Sequence, residues 1–147
     1  MGREFELKFR ANRDALAKIR ALWQDWEEFS METTYYDTPG GALSQRKITL
    51  RRRLENGISV CTLKTPTGTA ARGEFQIECD CITNAIPILC KLSGLSELLS
   101  LTAAGVVPVC GAKFTRTARK VSFGDSLLEI ALDQGILMGG GKEQSLF

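Results

Sequence analysis

The sequence contains no histidine. That absence excludes a histidine general base, a histidine-ligated metal and a Ser-His-Asp triad. Long apolar runs are missing as well: no stretch reaches the roughly 18 residues of a membrane-spanning helix. The start, Met1-Gly2-Arg3-Glu4-Phe5-Glu6, lacks the apolar centre of a secretory leader. Gly2 invites myristoylation, but Glu6 stands where that signal carries Ser or Thr. Nor is there an excess of one charge. Lys and Arg number 19 against 17 Asp and Glu, a formal net charge of +2. This balance argues against a general nucleic-acid coat and against a polybasic membrane anchor. The five cysteines show neither a paired framework nor zinc spacing, and Cys79-Asp80-Cys81 has no second half. They read as buried thiols of a cytoplasmic protein.

What is present fits one folded domain. The chain has 147 residues, 44% hydrophobic and 24% charged, as expected of a globular α+β unit spanning 1–147. Residues 3–10 alternate, with Phe5, Leu7 and Phe9 opposite Glu4, Glu6, Lys8 and Arg10, which predicts a strand. A helix is expected over 12–28, with Asn12 as N-cap and Leu16, Ile19, Trp23 and Trp26 as one apolar stripe. Strands are expected at 33–37, 47–55, 58–64, 72–80, 112–122 and 126–133. Asn56-Gly57 marks a tight hairpin between the second and third of these. Residues 84–104 read as two helical pieces broken around Pro87 and Gly94, and Gly139-Gly140-Gly141 as a hairpin loop.

Alternation alone predicts only an antiparallel sheet with one wet face. The polar faces here are unusual in composition. They carry Glu4, Glu6, Glu74, Glu78, Glu129 and Asp133 together with Lys8, Arg51, Arg53, Lys64 and Arg72. If the sheet curls with these faces inward, helices cover its apolar outside and the interior is lined by both signs of charge. A polyanion carrying divalent cations satisfies both sets: arginine and lysine hold phosphate oxygens, and carboxylates hold Mg²⁺ or Mn²⁺ through oxygen. For Arg51 and Arg53 taken singly, cross-strand pairing with Glu74 or Glu78 is the simpler explanation.

These residues resemble a known family. Glu4-Phe5-Glu6-Leu7-Lys8 matches the ExExK signature of the CYTH domain, the triphosphate tunnel metalloenzymes. Supporting segments follow in the family's order: Tyr35-Tyr36-Asp37-Thr38-Pro39, Leu50-Arg51-Arg52-Arg53, Thr62-Leu63-Lys64, Arg72-Gly73-Glu74-Phe75, Phe114-Thr115-Arg116 and Glu129-Ile130-Ala131-Leu132-Asp133-Gln134-Gly135. The last is similar to the bacterial inorganic triphosphatase branch.

The resemblance implies an antiparallel β-barrel tunnel with helices outside, hydrolysing inorganic triphosphate to diphosphate and phosphate with Mg²⁺ or Mn²⁺. Position by position, it implies Glu4, Glu6, Glu74, Glu129 and Asp133 as metal residues. Arg51, Arg53, Lys64, Arg72 and Arg116 become phosphate-binding residues. Lys8 contacts phosphate and orients the attacking water, with Tyr35 as its partner. Glu78 and Arg52 are left structural. The family continues beyond the Asp-x-Gly turn into a strand bearing Glu-x-Glu. Here Gly139–Phe147 reaches only the start of that strand, so an incomplete barrel with an open edge is expected; truncation is the simplest explanation, and an open-barrel variant or strand exchange with another chain are the alternatives. Other readings are an adenylate cyclase or thiamine triphosphatase on the same tunnel, and a non-catalytic polyphosphate- or nucleotide-binding module. No nucleic-acid or membrane partner is expected.

Overall fold

The computed structural model describes residues 6–66 and 73–147. In chain order the elements are α1 (Arg13–Arg20), β1 (Glu27–Asp37), α2 (Ala42–Gln45), β2 (Thr49–Glu55), β3 (Ile58–Thr65), β4 (Gly73–Glu78), α3 (Ile82–Ser93), α4 (Glu97–Leu101), β5 (Val107–Phe123), β6 (Ser126–Gly139) and β7 (Lys142–Leu146). All seven strands join one sheet in the order β4-β3-β2-β1-β5-β6-β7. Every pairing is antiparallel. Among the described residues the edges β4 and β7 do not meet, so the expected barrel stands as an open sheet.

Local chemistry sets the turns. Asn56 and Gly57 both take positive φ, 49° and 86°. That geometry matches a two-residue hairpin and fixes the pair Glu55↔Ile58. The glycine run does the same work further on: Gly140 and Gly141 turn at φ 57° and 73°, and Gly139 pairs with Lys142. It is a hairpin, as expected, and not a phosphate loop.

The core lies on one face of the β1–β4 half. Leu50, Cys61 and Leu63 meet Ile82, Ala85, Ile86, Leu89 and Cys90 of α3 and Leu98 of α4, all buried. Leu43 and Ile48 close one side of this cluster, and Phe75 and Ile77 pack against it. The helices thus cover the apolar face, leaving the opposite face free of them.

Several sequence expectations need correction. The strand expected over 3–10 is absent from residues 6–10, which form no regular element. Leu7 and Phe9 are 66% and 80% exposed there; alternation yields a strand only when a neighbour pairs with it and buries one side. The helix expected over 12–28 ends at Arg20. Asn12 does cap it, accepting from the Ala15 N–H at 2.8 Å. Trp23 and Trp26 instead stack edge-to-face at a turn, and residues from Glu27 onward adopt the strand period because β2 and β5 flank them. The helix break falls at Gly94, with φ 70°, while Pro87 sits inside an unbroken α3. Of the thiols, Cys61 and Cys90 are buried, but Cys81 and Cys110 are exposed. Burial pushes the Cys61 thiol up to about 11, leaving it inert near neutral pH. Among the described residues no helix is long and apolar enough to cross a membrane.

Asp37 organises the exit from β1. Its carboxylate accepts from the backbone N–H groups of Thr38, Leu43 and Ser44, at 2.7, 2.9 and 3.1 Å. The Thr38 hydroxyl accepts from Ala42. Four orphan donors around the short helix α2 are thereby satisfied. Burial pushes the Asp37 carboxyl up, but these backbone donors outweigh it and hold the group below its ordinary value. A depressed carboxyl contributes stability above its unfolded value, and that contribution is lost as pH falls through the folded one. Asp37→Asn is therefore expected to cost about 1–2 kcal/mol at pH 7. Urea melts should show the gap between the two proteins narrowing below about pH 4.

Candidate functional site

The register of the sheet collects the charged residues on the face away from the helices. Arg51 stands opposite Thr62 on β3 and Tyr35 on β1, and Thr62 stands opposite Gln76 on β4. One step along, Arg53 stands between Val60 and Thr33, with Glu78 beyond Val60. Lys64 lies opposite Glu74. Across β1, Arg116 of β5 stands opposite Phe29, and Asp133 of β6 opposite Arg116. Glu129 shares that face two same-side positions further along β6. Period-two alternation then places Tyr35, Arg51, Arg53, Lys64, Glu74, Arg116, Glu129 and Asp133 on one side of one sheet.

Two kinds of arginine occupy this face. Arg116 is committed: it donates from Nε and Nη2 to both Asp133 oxygens at 2.8 and 3.0 Å. That fork-on-carboxylate geometry raises the Arg116 guanidinium above its ordinary value, chiefly through the hydrogen bond to Asp133. Arg51 and Arg53 are different. Among the described residues neither has a carboxylate within ion-pair distance. Arg53 is held by the Thr33 hydroxyl, which accepts from its Nε at 2.9 Å. Burial first, then the neighbouring Arg51, pull the Arg53 guanidinium below its ordinary value. The Nε of Arg51 is buried without any hydrogen-bond partner. The simpler explanation, pairing with Glu74 or Glu78, does not hold here because β3 separates β2 from β4. Arg52 points the other way and donates to the Ser59 hydroxyl at 2.8 Å, a structural contact.

Beside the two arginines lies a cavity of about 380 Å³, lined by Phe29, Arg51, Arg53, Glu55, Asn56, Ile58, Val60, Thr62 and Gln76. Guanidinium forks with unfilled donors, in a half-buried hollow, favour an anion with several oxygens.

The remaining expected residues are placed less favourably. Glu4 and Arg72 lie outside the described residues. Glu6 and Lys8 are exposed and pair with each other at 3.6 Å. Lys8 makes no hydrogen bond to Tyr35, which stands opposite Arg51 in the register. Glu74 and Glu129 sit on strands separated by four others, and Asp133 is taken by Arg116. Among the described residues no three carboxylates or thiols gather into a possible metal site. The described carboxylates therefore do not by themselves fit a divalent ion. Sequence reasoning missed Thr33, Phe29, Val60, Thr62 and Gln76. The Asn56-Gly57 turn carried the signal for two of them, because its register puts Thr62 opposite Arg51 and Val60 opposite Arg53.

Comparison with known proteins identifies the family. A family model described as the CYTH domain matches residues 2–140. The chain belongs to the CYTH family. A relative named inorganic triphosphatase, from Haemophilus influenzae, is 32% identical over 135 residues. That alignment takes in 89% of this chain and 37% of the relative, so the chain spans little more than a third of it. Solved structures share the fold. A putative adenylate cyclase from Bacillus halodurans aligns with TM-score 0.52 at 14% identity, covering 92% of this chain and 73% of that one. A putative adenylyl cyclase from Hippeastrum, described as having a dominant triphosphatase activity, aligns with TM-score 0.53 at 17% identity, covering 86% and 69%. At these identities the two solved structures speak for the antiparallel architecture alone.

Proposed function

We propose that this CYTH chain binds inorganic triphosphate on the charged sheet face and hydrolyses it to diphosphate and phosphate. The observation that carries the reading is the pair Arg51 and Arg53, half-buried on one face of β2 with no carboxylate in ion-pair distance among the described residues, and with the Arg51 Nε unpartnered. A bare cation held in this way costs free energy until an anion fills it. Lys64 extends the cationic row and Arg116 bounds it; the reading assigns Arg72, outside the described residues, to phosphate as well. Phosphoryl transfer needs mainly a held, charge-neutralised phosphate chain and a placed water, which these donors supply in part. Tyr35 stands opposite Arg51 in the register, and in this reading it orients that water. The proposed role of Lys8 requires residues 6–10 to lie against this face. In this reading Glu4 and Glu6 would hold Mg²⁺ or Mn²⁺, a task the described carboxylates do not fill by themselves, and the setting is cytoplasmic.

The scatter of the described carboxylates favours a second reading, a module that binds polyphosphate or nucleotide without turnover. Both are separated by mixing the protein with tripolyphosphate and measuring phosphate release and calorimetric binding together. Release of equal diphosphate and phosphate in Mg²⁺ or Mn²⁺, abolished by chelator, is the expected result. Binding is expected to survive the chelator within about threefold, because the arginines supply it. Binding without release selects the module, and absence of both ends the triphosphate reading.

A further inference from the structure

The helix-covered side of the sheet carries a second cluster of reactive groups, away from the charged face. Three thiols meet where β4 runs into α3: Cys61 on β3, Cys79 one residue past β4, and Cys81 at the N-cap of α3. The Cys79 carbonyl accepts from the Ser59 hydroxyl at 2.7 Å and from the Cys61 thiol at 3.5 Å. The Cys79 thiol reaches forward and donates to the Cys81 carbonyl at 3.3 Å. Its sulfur thus lies over the backbone of the residue that bears the next thiol. Even in extended chain, Cα atoms two residues apart stand at most about 7 Å from each other. That is the outer reach of a disulfide, and the chain bends at Asp80 between the two cysteines. Their accessibilities differ. Cys61 is buried, Cys79 half-buried and Cys81 exposed. The Cys81 side chain makes no capping hydrogen bond. The backbone N–H groups of Asn84 and then Thr83 nevertheless hold its thiol below the ordinary value. Cys110 is exposed too, but it stands between Tyr35 and Gly139, with no thiol opposite it on either strand. An open sulfur with a second thiol beside it suits oxidation followed by resolution.

We propose that Cys79 and Cys81 form a reversible dithiol–disulfide pair whose oxidant is a peroxide, with Cys81 as the attacking sulfur and Cys79 as the resolving one. In the first step the Cys81 thiolate attacks a peroxide oxygen. The S–O bond forms, the O–O bond breaks, and the leaving hydroxide picks up the proton that the thiol gave up, as water. In the second step the Cys79 sulfur attacks the sulfur of the Cys81 sulfenic acid. The S–S bond forms, the S–O bond breaks, and hydroxide leaves with the Cys79 proton as a second water. The two sulfurs lose two electrons to the peroxide, and an external dithiol returns them. Cys61 takes no part, because burial keeps it protonated. The pair is independent of the triphosphate reading, since Arg51 and Arg53 lie on the other face of the sheet.

The test treats the reduced chain with hydrogen peroxide, alkylates the remaining thiols and reads the tryptic peptide from Gly73 to Lys91 by mass spectrometry. That peptide holds Cys79, Cys81 and Cys90. The expected result is loss of two of the five thiols, with the peptide lighter by two hydrogens and alkylated only at Cys90. Dithiothreitol should restore both. In Cys79→Ser, Cys81 should stop at the sulfenic acid, which dimedone traps. In Cys81→Ser, Cys79 should remain free to alkylate. Cys110→Ser should behave as the wild type. Circular dichroism checks that each variant folds. Oxidation of wild-type Cys81 beyond the sulfenic acid while Cys79 stays free overturns the pair. So does oxidation of Cys110 or Cys90 ahead of Cys81, or an unchanged loss of two thiols in Cys81→Ser.

Discussion

Arg53→Ala is expected to weaken tripolyphosphate binding by about 10- to 100-fold, the range given by losing about 1.5–3 kcal/mol of charge-assisted hydrogen bonding. The guanidinium is already fixed by Thr33 at 2.9 Å, so little ordering remains when an anion arrives. Removing it also lets water into the hollow beside Arg51. Arg53→Lys separates charge from shape. Lysine keeps the charge but loses the planar fork, so an intermediate loss is expected. Arg52→Ala is the control. Arg52 sits one residue away but faces the covered side, where it contacts Ser59; its loss should leave binding within about twofold and cost only stability. Calorimetry at two salt concentrations checks all three. Equal behaviour of Arg52 and Arg53 variants would reduce the charged face to ordinary sheet surface.

Gly135→Ala carries the largest expected effect on stability. A Cβ at Gly135 would fall on the carbonyl oxygen of Lys113 and within 2.5 Å of the Phe114 Cα. Both are backbone atoms of β5, the strand paired with Gly135 itself, so no side chain can swing aside. The strands must part or shift, and two pairs away lies the Arg116–Asp133 fork. A loss of roughly 3 kcal/mol is expected, or about 6–12 °C in Tm for a chain of this size. Gly40→Ala is the matched control, since nothing lies within 4 Å of its Cβ; a change within about 0.5 kcal/mol is expected. Thermal melts of the two variants decide. A Gly135→Ala protein melting with the wild type would show that β5 and β6 are less closely paired than the register states.

The Gly135 result bears on what the sequence makes legible. Asp133-Gln134-Gly135 stands out as a motif, yet the reason for its glycine, close approach of a neighbouring backbone, needs β5 beside it. Alternation located six strands and their polar faces, because period two is a local property. The Asn56-Gly57 turn went further and fixed partners, so the facing of Arg51 and Thr62 follows from the turn alone. Nothing comparable links Phe29 to Arg116 or Tyr35 to Cys110, because β1 and β5 are far apart in the chain. The helix over 12–28 failed for a related reason. Trp23 and Trp26 continue a helical stripe by spacing, but tertiary pairing of Glu27 onward with two strands overrides it. Residues 6–10 failed in the opposite sense, as strong alternation without a partner.

The strand order also shapes how the chain reaches this state. β1 to β4 run as a meander of sequential neighbours, and so do β5 to β7. Each can form from short loops, with little closure entropy. Only the seam between β1 and β5, Glu27–Asp37 against Val107–Phe123, joins distant parts of the chain. Its formation is the slow, high-contact-order event, and it brings Arg116 up to Arg53. Arg51, Arg53 and Lys64 therefore come together early within the β1–β4 half, and the Arg116–Asp133 fork joins them last. A folding chain exposes two half-faces of charge before it owns one site, and a polyanion present during folding would favour joining them.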